Sequence, residues 1–158
     1  MKYLAIILLF SISINAQIVT VGFDFQNAIK GSDVNVPALD IKASIASITK
    51  NREIGLEGEY FKEINYAHFG MFVNKVIPIN KFNFVIGVKG LMIFRDKFTV
   101  FAHSFNGEIR YFFTDKLAFG IQYDYTDRKD LEIAYNDRRY VGNGYVNLIY
   151  KWKWNTHY

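Results

Sequence analysis

The amino-acid sequence predicts an all-β fold, an eight-stranded antiparallel up-and-down barrel. Large apolar and polar residues alternate along eight separate segments, as they do on a strand with two unlike faces. Aromatic residues, which favour strands, make up 18% of the chain, and there are only two prolines. No glycine-rich linker or change of composition divides the series, so we expect one sheet in one domain.

The N-terminus predicts a secretory signal peptide. Lys2 supplies a positive charge ahead of a short apolar run, and Ala16 ends a cleavage site. The run is shorter than the roughly 20 residues that a membrane helix needs, and no later run approaches that length. We therefore expect a signal peptide over residues 1–16 and a barrel domain over residues 17–158.

The composition argues against several classes of function. Without Lys2, 18 of the 19 basic residues remain against 15 acidic ones, and they are scattered, which gives little support for nucleic-acid binding. The absence of cysteine excludes disulfides and a lipid anchor on a cysteine. The three histidines have no metal-ligand spacing, so we expect no metal and no cofactor.

The first four segments each place large residues on one face. A polar stretch at 27–37 separates the first two, and the tight turn TKNR separates the second from the third. In order, the large residues are Val19, Val21, Phe23 and Phe25; Leu39, Ile41, Ala43 and Ile45; Ile54, Leu56 and Tyr60; and Ala67, Phe69, Met71 and Val73.

The last four segments follow the same rule. Pro78 predicts a connection before the fifth segment, in which Val85, Leu91 and Ile93 blur the alternation. The short turns RDK and FTDK follow, and the charged sequence TDRKDLEIAYNDRR predicts a long loop over 126–139. The large residues are Phe82, Phe84, Ile86, Val88, Met92 and Phe94; Phe101, Phe105, Ile109 and Tyr111; Leu117, Phe119, Ile121, Tyr123 and Tyr125; and Val146, Leu148, Tyr150, Trp152 and Trp154.

Volume indicates which face points outward. The apolar face carries many more aromatic rings than an eight-stranded barrel can enclose, so we expect that face to meet lipid. A closed barrel then pairs every backbone group between strands, as hydrocarbon requires. The opposite face would form an ion-pair network across the lumen, with six acids and five bases. Its members are Asp24, Asp40, Lys42, Glu57, Glu59, Lys89, Glu108, Arg110, Asp124, Lys151 and Lys153.

Aromatic residues near the strand ends predict two girdles at the membrane interfaces. The first comprises Phe82, Tyr111, Phe113, Trp152 and Trp154, and the second comprises Phe25, Tyr60, Phe94, Tyr125 and Tyr140. An even number of strands puts both termini on one side, which is periplasmic in this class of barrel. The connections 27–37 and 126–139 would then lie outside the cell.

A resemblance supports this interpretation. GEIRYFFTDKLAFGIQYDY, residues 107–125, resembles a strand, short TDK turn and next strand of the small outer-membrane β-barrel proteins of Bacteroidetes-type bacteria. The signal ending in NAQ and the terminal aromatic Tyr158 are similar to that group. The resemblance implies an integral protein of the Gram-negative outer membrane, surrounded by its lipid. Tyr158 would be the assembly signal that the barrel-insertion machinery reads. The resemblance does not indicate any particular activity.

We therefore expect a monomeric barrel without enzymatic activity, with a structural role in the cell envelope or a binding or adhesion role through its outer loops. Two alternatives stay open: a soluble secreted or periplasmic lipocalin-like barrel that binds an apolar ligand, and an outer-membrane lipid-modifying enzyme. His103 and Ser104 are adjacent and might suggest a nucleophile pair for such an enzyme. Neighbours on a strand point to opposite faces, so these two side chains cannot form a catalytic hydrogen bond directly, which argues against the enzyme.

Glu57 and Glu59 share one strand face, so an acid/base pair is also conceivable there. We prefer ion pairing, since buried charges need partners. We interpret His68 as a residue that forms hydrogen bonds in the lumen. The sequence does not indicate a ligand for the outer loops.

Overall fold

A computed structural model describes residues 18–25, 40–61, 65–136 and 139–152. Eight antiparallel strands follow one another around a closed barrel, and the last pairs with the first, which confirms the predicted fold class. The strands are β1 (Ile18–Asp24), β2 (Asp40–Thr49), β3 (Arg52–Phe61), β4 (Tyr66–Ile79), β5 (Phe82–Arg95), β6 (Phe98–Phe112), β7 (Leu117–Asp127) and β8 (Tyr140–Lys151), with a helix α1 (Lys129–Tyr135) before β8. The predicted signal peptide, the stretch 27–37, Lys153, Trp154 and Tyr158 lie outside the described residues.

Buried and exposed side chains alternate regularly along β1, β4, β6 and β7, whereas three consecutive residues of β3 are buried and the first half of β8 shows no clear alternation. The alternation continues without a break through β5, where Val85, Leu91 and Ile93 are buried on the inward face. These residues blurred the sequence pattern because they are apolar residues that face the interior. An apolar residue on a strand of this barrel can therefore belong to either face.

Two predicted connections have different boundaries in the structure. Pro78 belongs to β4, opposite Asn83, and the turn itself is residues 80–81. Proline has no N–H to donate to a neighbouring strand, and near the end of a strand this loss affects few hydrogen bonds of the sheet. The predicted loop 126–139 is shorter than expected, because its first two residues continue β7 and Lys129–Tyr135 form α1.

The ends of the strands form two rims. We call the end with turns 50–51, 80–81 and 113–116 the short-turn rim, and β1 begins and β8 ends there. The other end, which joins β3 to β4, β5 to β6 and β7 to β8, is the long-loop rim, and α1 lies there. Both described chain ends therefore lie at the same rim, as an even number of strands requires.

The interior has three layers. An apolar layer of Phe61, Tyr66, Leu91, Ile93 and Ala102 lies near the long-loop rim. A second, smaller apolar layer of Ile18, Ala118 and Ile149 lies near the short-turn rim. Charged and amide side chains occupy the space between them. Within the described ranges, no helix is long and apolar enough to cross a membrane.

Candidate functional site

The centre of the barrel contains a lysine held by two carboxylates. Lys89 Nζ donates to Glu57 Oε2 at 2.8 Å and to Asp124 Oδ2 at 2.7 Å, from β5 to β3 and β7. Lys42 Nζ of β2 donates to the same Asp124 oxygen at 3.2 Å. All four side chains are buried. Buried charges are tolerated when each has a partner, and here four strands contribute partners to one point.

A second ion cluster lies closer to the short-turn rim. The Arg110 guanidinium donates to both carboxylate oxygens of Glu53, at 2.5 and 3.0 Å, and its Nε donates to Glu108 Oε2 at 2.7 Å. The fork of an arginine matches a carboxylate in this bidentate arrangement. Glu53 was missed at the sequence level, although its spacing from Glu57 and Glu59 places it on the same face.

Amide side chains join the two clusters. Asn147 Nδ2 donates to Glu108 Oε1 at 2.6 Å and to Gln122 Oε1 at 2.8 Å. Gln122 Nε2 donates in turn to Asp124 Oδ1 at 2.7 Å. The result is one hydrogen-bonded network across the interior, in which the two amide side chains link the Glu108 carboxylate to the Asp124 carboxylate.

Glu59 occupies a separate position closer to the long-loop rim. The Tyr145 hydroxyl donates to its two carboxylate oxygens at 3.1 and 3.0 Å, while the Tyr145 ring lies 3.3 Å below Lys42 Nζ. His68 lies between the two glutamates, with Nε2 3.4 Å from Glu57 and Nδ1 3.3 Å from Glu59. Both glutamates are thus held by neighbours inside the network.

Helix α1 closes the long-loop rim through an ion cluster. The Arg95 and Arg128 guanidinium groups both donate to the buried Asp130 carboxylate, at 2.7–2.9 Å. Burial raises the pKa of Asp130, but the hydrogen bonds and positive charges of Arg128 and Arg95 outweigh burial and lower the pKa below its ordinary value. Arg128 also lies over the Tyr66 ring at 4.4 Å, and this contact joins the cap to the apolar layer near the long-loop rim.

A fourth cluster surrounds Asp127 at the end of β7. Arg139 donates to both of its carboxylate oxygens, at 2.7 and 3.1 Å. His103 Nδ1 lies 3.5 Å away and Lys129 Nζ 3.9 Å away. These three basic side chains are themselves exposed, so the cluster fixes the base of the loop after β7 more than it fills the interior.

The structure brings most of the predicted network together. Nine of the eleven residues are buried in the interior: Asp24, Asp40, Lys42, Glu57, Glu59, Lys89, Glu108, Arg110 and Asp124. Lys151 is only half-buried at the short-turn rim, and within the described ranges it has no ion pair, which corrects the predicted role. The reason is its place at the end of β8, where the interior opens to solvent. Lys153 lies outside the described residues.

Among the described residues, the charge balance of the interior differs from the predicted one. The inward faces of the strands bury seven acids, Asp24, Asp40, Glu53, Glu57, Glu59, Glu108 and Asp124, against the three bases Lys42, Lys89 and Arg110. Part of this excess of negative charge is offset at the long-loop rim, where Arg95 and Arg128 add positive charge next to Asp130. Arg95 belongs to β5 and Arg128 directly precedes α1, so the two arginines and Asp130 of α1 together add a net charge of +1 (+2 − 1) at this rim.

The outer wall carries the predicted aromatic residues. Phe82 and Tyr111 are register partners near the short-turn rim, with ring centroids 5.1 Å apart, and Phe113 and Trp152 are also there. Exposed at the long-loop rim are Phe25, Tyr60, Phe94, Tyr125 and Tyr140, the last two stacked at 5.8 Å. Trp154 lies outside the described residues. A soluble monomer rarely exposes an apolar surface of this extent.

Two features of the structure bear on the alternative activities, the size of the central cavity and the positions of His103 and Ser104. The central cavity measures about 20 Å³ and is lined mainly by polar side chains, which suits a water molecule and not an apolar ligand. Ser104 points inward and its hydroxyl lies 2.8 Å from Thr126 Oγ1, whereas His103 is 53% exposed on the outer wall. Over the ranges that the structure covers, no group of three acidic, histidine or cysteine side chains is arranged to hold a metal.

Comparison with known proteins finds similarity at the level of the fold. No protein-family model and no curated protein matches the chain. The Yersinia pestis outer membrane protein Ail, solved in a phospholipid bilayer nanodisc, is similar with a TM-score of 0.59 and 8% identity, over 87% of this chain and 99% of that one. Neisserial surface protein A (NspA) is similar with a TM-score of 0.54 and 9% identity, over 87% and 96%. At such low identity the likeness concerns the eight-stranded barrel fold alone.

Proposed function

We propose that this protein is an integral outer-membrane β-barrel without enzymatic activity. One observation carries the proposal: charged and amide side chains are buried in the interior, while apolar and aromatic side chains cover the exposed wall. In water this distribution is unfavourable on both faces. In a bilayer it is favourable, because the wall meets hydrocarbon and the closed strands leave no backbone group unpaired.

The short-turn rim faces the periplasm in this proposal, and the long-loop rim with α1 faces outward. Export by the signal peptide, insertion by the barrel machinery with Tyr158 as the assembly signal, and a monomeric state surrounded by outer-membrane lipid belong to the same proposal. The ring pair Phe82–Tyr111 and the stacked pair Tyr125–Tyr140 support a girdle at each rim.

The interior supports a structural or surface-binding role instead of transport. Within the described residues, the ion network, the two apolar layers and the cap of α1 fill the barrel, and the cavity at its centre measures about 20 Å³. Aqueous channels belong to barrels of about sixteen strands. We therefore assign function to the envelope-spanning wall and to the outer connections, among them α1.

Fractionation tests the membrane assignment. The barrel, expressed with its own N-terminus in a Gram-negative host, is expected to stay with the membrane in alkaline carbonate. It should also migrate faster on a gel in detergent when left unboiled. Recovery in the aqueous fraction without a mobility shift would contradict the proposal.

The orientation has its own test, because the chain lacks cysteine. Ile133→Cys places a thiol on the exposed face of α1, and Lys81→Cys places one in a turn of the short-turn rim. A membrane-impermeant maleimide should label Ile133→Cys on intact cells and Lys81→Cys only after lysis. The reverse pattern would show that the barrel is inserted the other way round.

A further inference from the structure

Two basic residues face each other on the outer wall near the short-turn rim. Arg52 of β3 and Lys75 of β4 are cross-strand register partners, and both are exposed. Like charges directly opposite each other destabilise a strand pair. Within the described ranges neither side chain has an ion pair. The arrangement is unfavourable for the protein alone, and an anion bound to both side chains would make it favourable.

An apolar groove begins at this pair. It has a volume of about 480 Å³ on the outer wall and is lined by Val73, Val88 and Phe105 as well as by Arg52 and Lys75. In the register, Val73, Val88 and Phe105 form one row across β4, β5 and β6, and the basic pair lies on the next row toward the short-turn rim. The groove therefore has an apolar body and a cationic end.

The charge of the surrounding rim has the same sign. The described side chains at or near the short-turn rim that are not buried include the bases Lys50, Arg52, Lys75, Lys81, Lys116 and Lys151, against the acid Asp115. No acidic side chain of the groove is present to bind an amine of a zwitterionic lipid. An occupant with an apolar chain and a net negative head is complementary to both parts of the groove.

We infer that the groove holds one acyl chain of an anionic phospholipid, with its phosphate bound by Arg52 and Lys75. This inference rests on the proposed function, which places the short-turn rim at the periplasmic leaflet. Arginine presents a donor fork to phosphate oxygens, and lysine adds a point charge. The groove residues contact the chain, so the site selects a phosphate that carries an apolar tail.

Native mass spectrometry of the detergent-solubilised full-length barrel tests the cationic end. Phosphatidylglycerol is titrated against phosphatidylcholine, and the wild type is expected to retain phosphatidylglycerol preferentially. Arg52→Gln with Lys75→Gln should weaken phosphatidylglycerol binding by about thirtyfold, as expected for two cations near a headgroup. The matched control, Lys81→Gln with Lys116→Gln, removes two charges from the same rim and should bind like the wild type.

A second pair of variants tests the groove itself. Val88→Phe fills the groove without changing charge and should weaken binding, whereas Val21→Phe adds the same bulk on the wall of β1 and should not. Soluble glycerol 3-phosphate, which has the head without a chain, should not displace the lipid. Each variant is first shown to keep the mobility shift of a folded barrel.

Three results would overturn the site: equal binding by the Arg52 and Lys75 double variant, equal loss in the Lys81 and Lys116 control, or displacement by glycerol 3-phosphate. Each leaves the membrane assignment intact. A chain that stays aqueous in the carbonate test would overturn the membrane assignment and the lipid site together.

Discussion

At the scale of single residues, Lys89 is a buried position held by partners on two other strands. It is 4% exposed and donates to two carboxylates from different strands. Lys89→Met leaves Glu57 and Asp124 without their central cation, and removal of one partner from a buried ion pair costs about 3–5 kcal/mol. We expect a loss of that size in the free energy of unfolding, measured by urea titration in lipid vesicles. Lys116→Met, in an exposed turn, is the control, and a loss below about 1 kcal/mol at Lys89 would contradict the prediction.

Asp130 makes the cap over the long-loop rim sensitive to acid. Its pKa is lowered in the folded state, because its salt bridges to Arg128 and Arg95 outweigh burial. The group therefore contributes stability above its unfolded pKa of about 3.9, and this stability is lost as the pH falls through the lower folded value. We expect α1 to detach below about pH 4.

Methyl resonances of Leu131 and Ile133, followed by NMR from neutral pH downward, report that detachment. Asp130→Asn should give the detached spectrum even at neutral pH. Resonances that stay unchanged throughout the acid titration, or a variant that keeps the wild-type spectrum, would show that the ion cluster does not hold α1 in place.

The face of a residue could be predicted from the sequence, whereas its partner could not. Parity along one strand is a local property, so the inward position of Lys89 or Arg110 follows from neighbours in the chain. The contact of Arg110 with Glu53 joins β6 to β3, two strands that are not adjacent. Such contacts depend on strand tilt and stagger, which no single segment specifies.

At the scale of elements, glycine fixes how closely β3 lies against its neighbours. A Cβ built on Gly55 would overlap the carbonyl oxygen of Ile45 and lie 2.5 Å from the Phe72 ring. Gly55→Ala should therefore force a backbone shift and lower the free energy of unfolding by about 1–3 kcal/mol. Gly107→Ala is the matched control, because no atom lies within 4 Å of its added methyl. Equal unfolding midpoints for the two variants would refute this account.

Helix α1 is the element that the sequence did not indicate. It has seven residues, and no side chain caps its N-terminus. An isolated helix of this length is unstable in water, since about 12–15 residues are needed even for good helix formers. Its stability comes from Asp130, which reaches Arg95 of β5, so the helix depends on a barrel that is already formed.

At the scale of the whole molecule, an outer wall that meets lipid predicts that a charged substitution lowers the free energy of unfolding by an amount that depends on its depth in the bilayer. Ile121 lies midway along β7 and is 57% exposed, and Phe94 lies exposed near the long-loop rim. Ile121→Lys should cost about 2–4 kcal/mol in vesicles, whereas Phe94→Lys should cost about 0–1 kcal/mol. Urea unfolding in vesicles measures both. Equal costs at the two depths would favour a wall that faces water.

The register between β1 and β8 has a consequence for the timing of assembly. Ile18 pairs with Lys151, so the ring closes through residues from opposite ends of the described chain. Hairpins such as β5–β6 need only local contacts, and we expect them to form first, since distant pairs carry a larger cost of loop closure. Until closure, β1 and β8 present free edges on which a second copy can pair. Aggregation is then a hazard of the unfinished chain, and the closed ring removes the template for it.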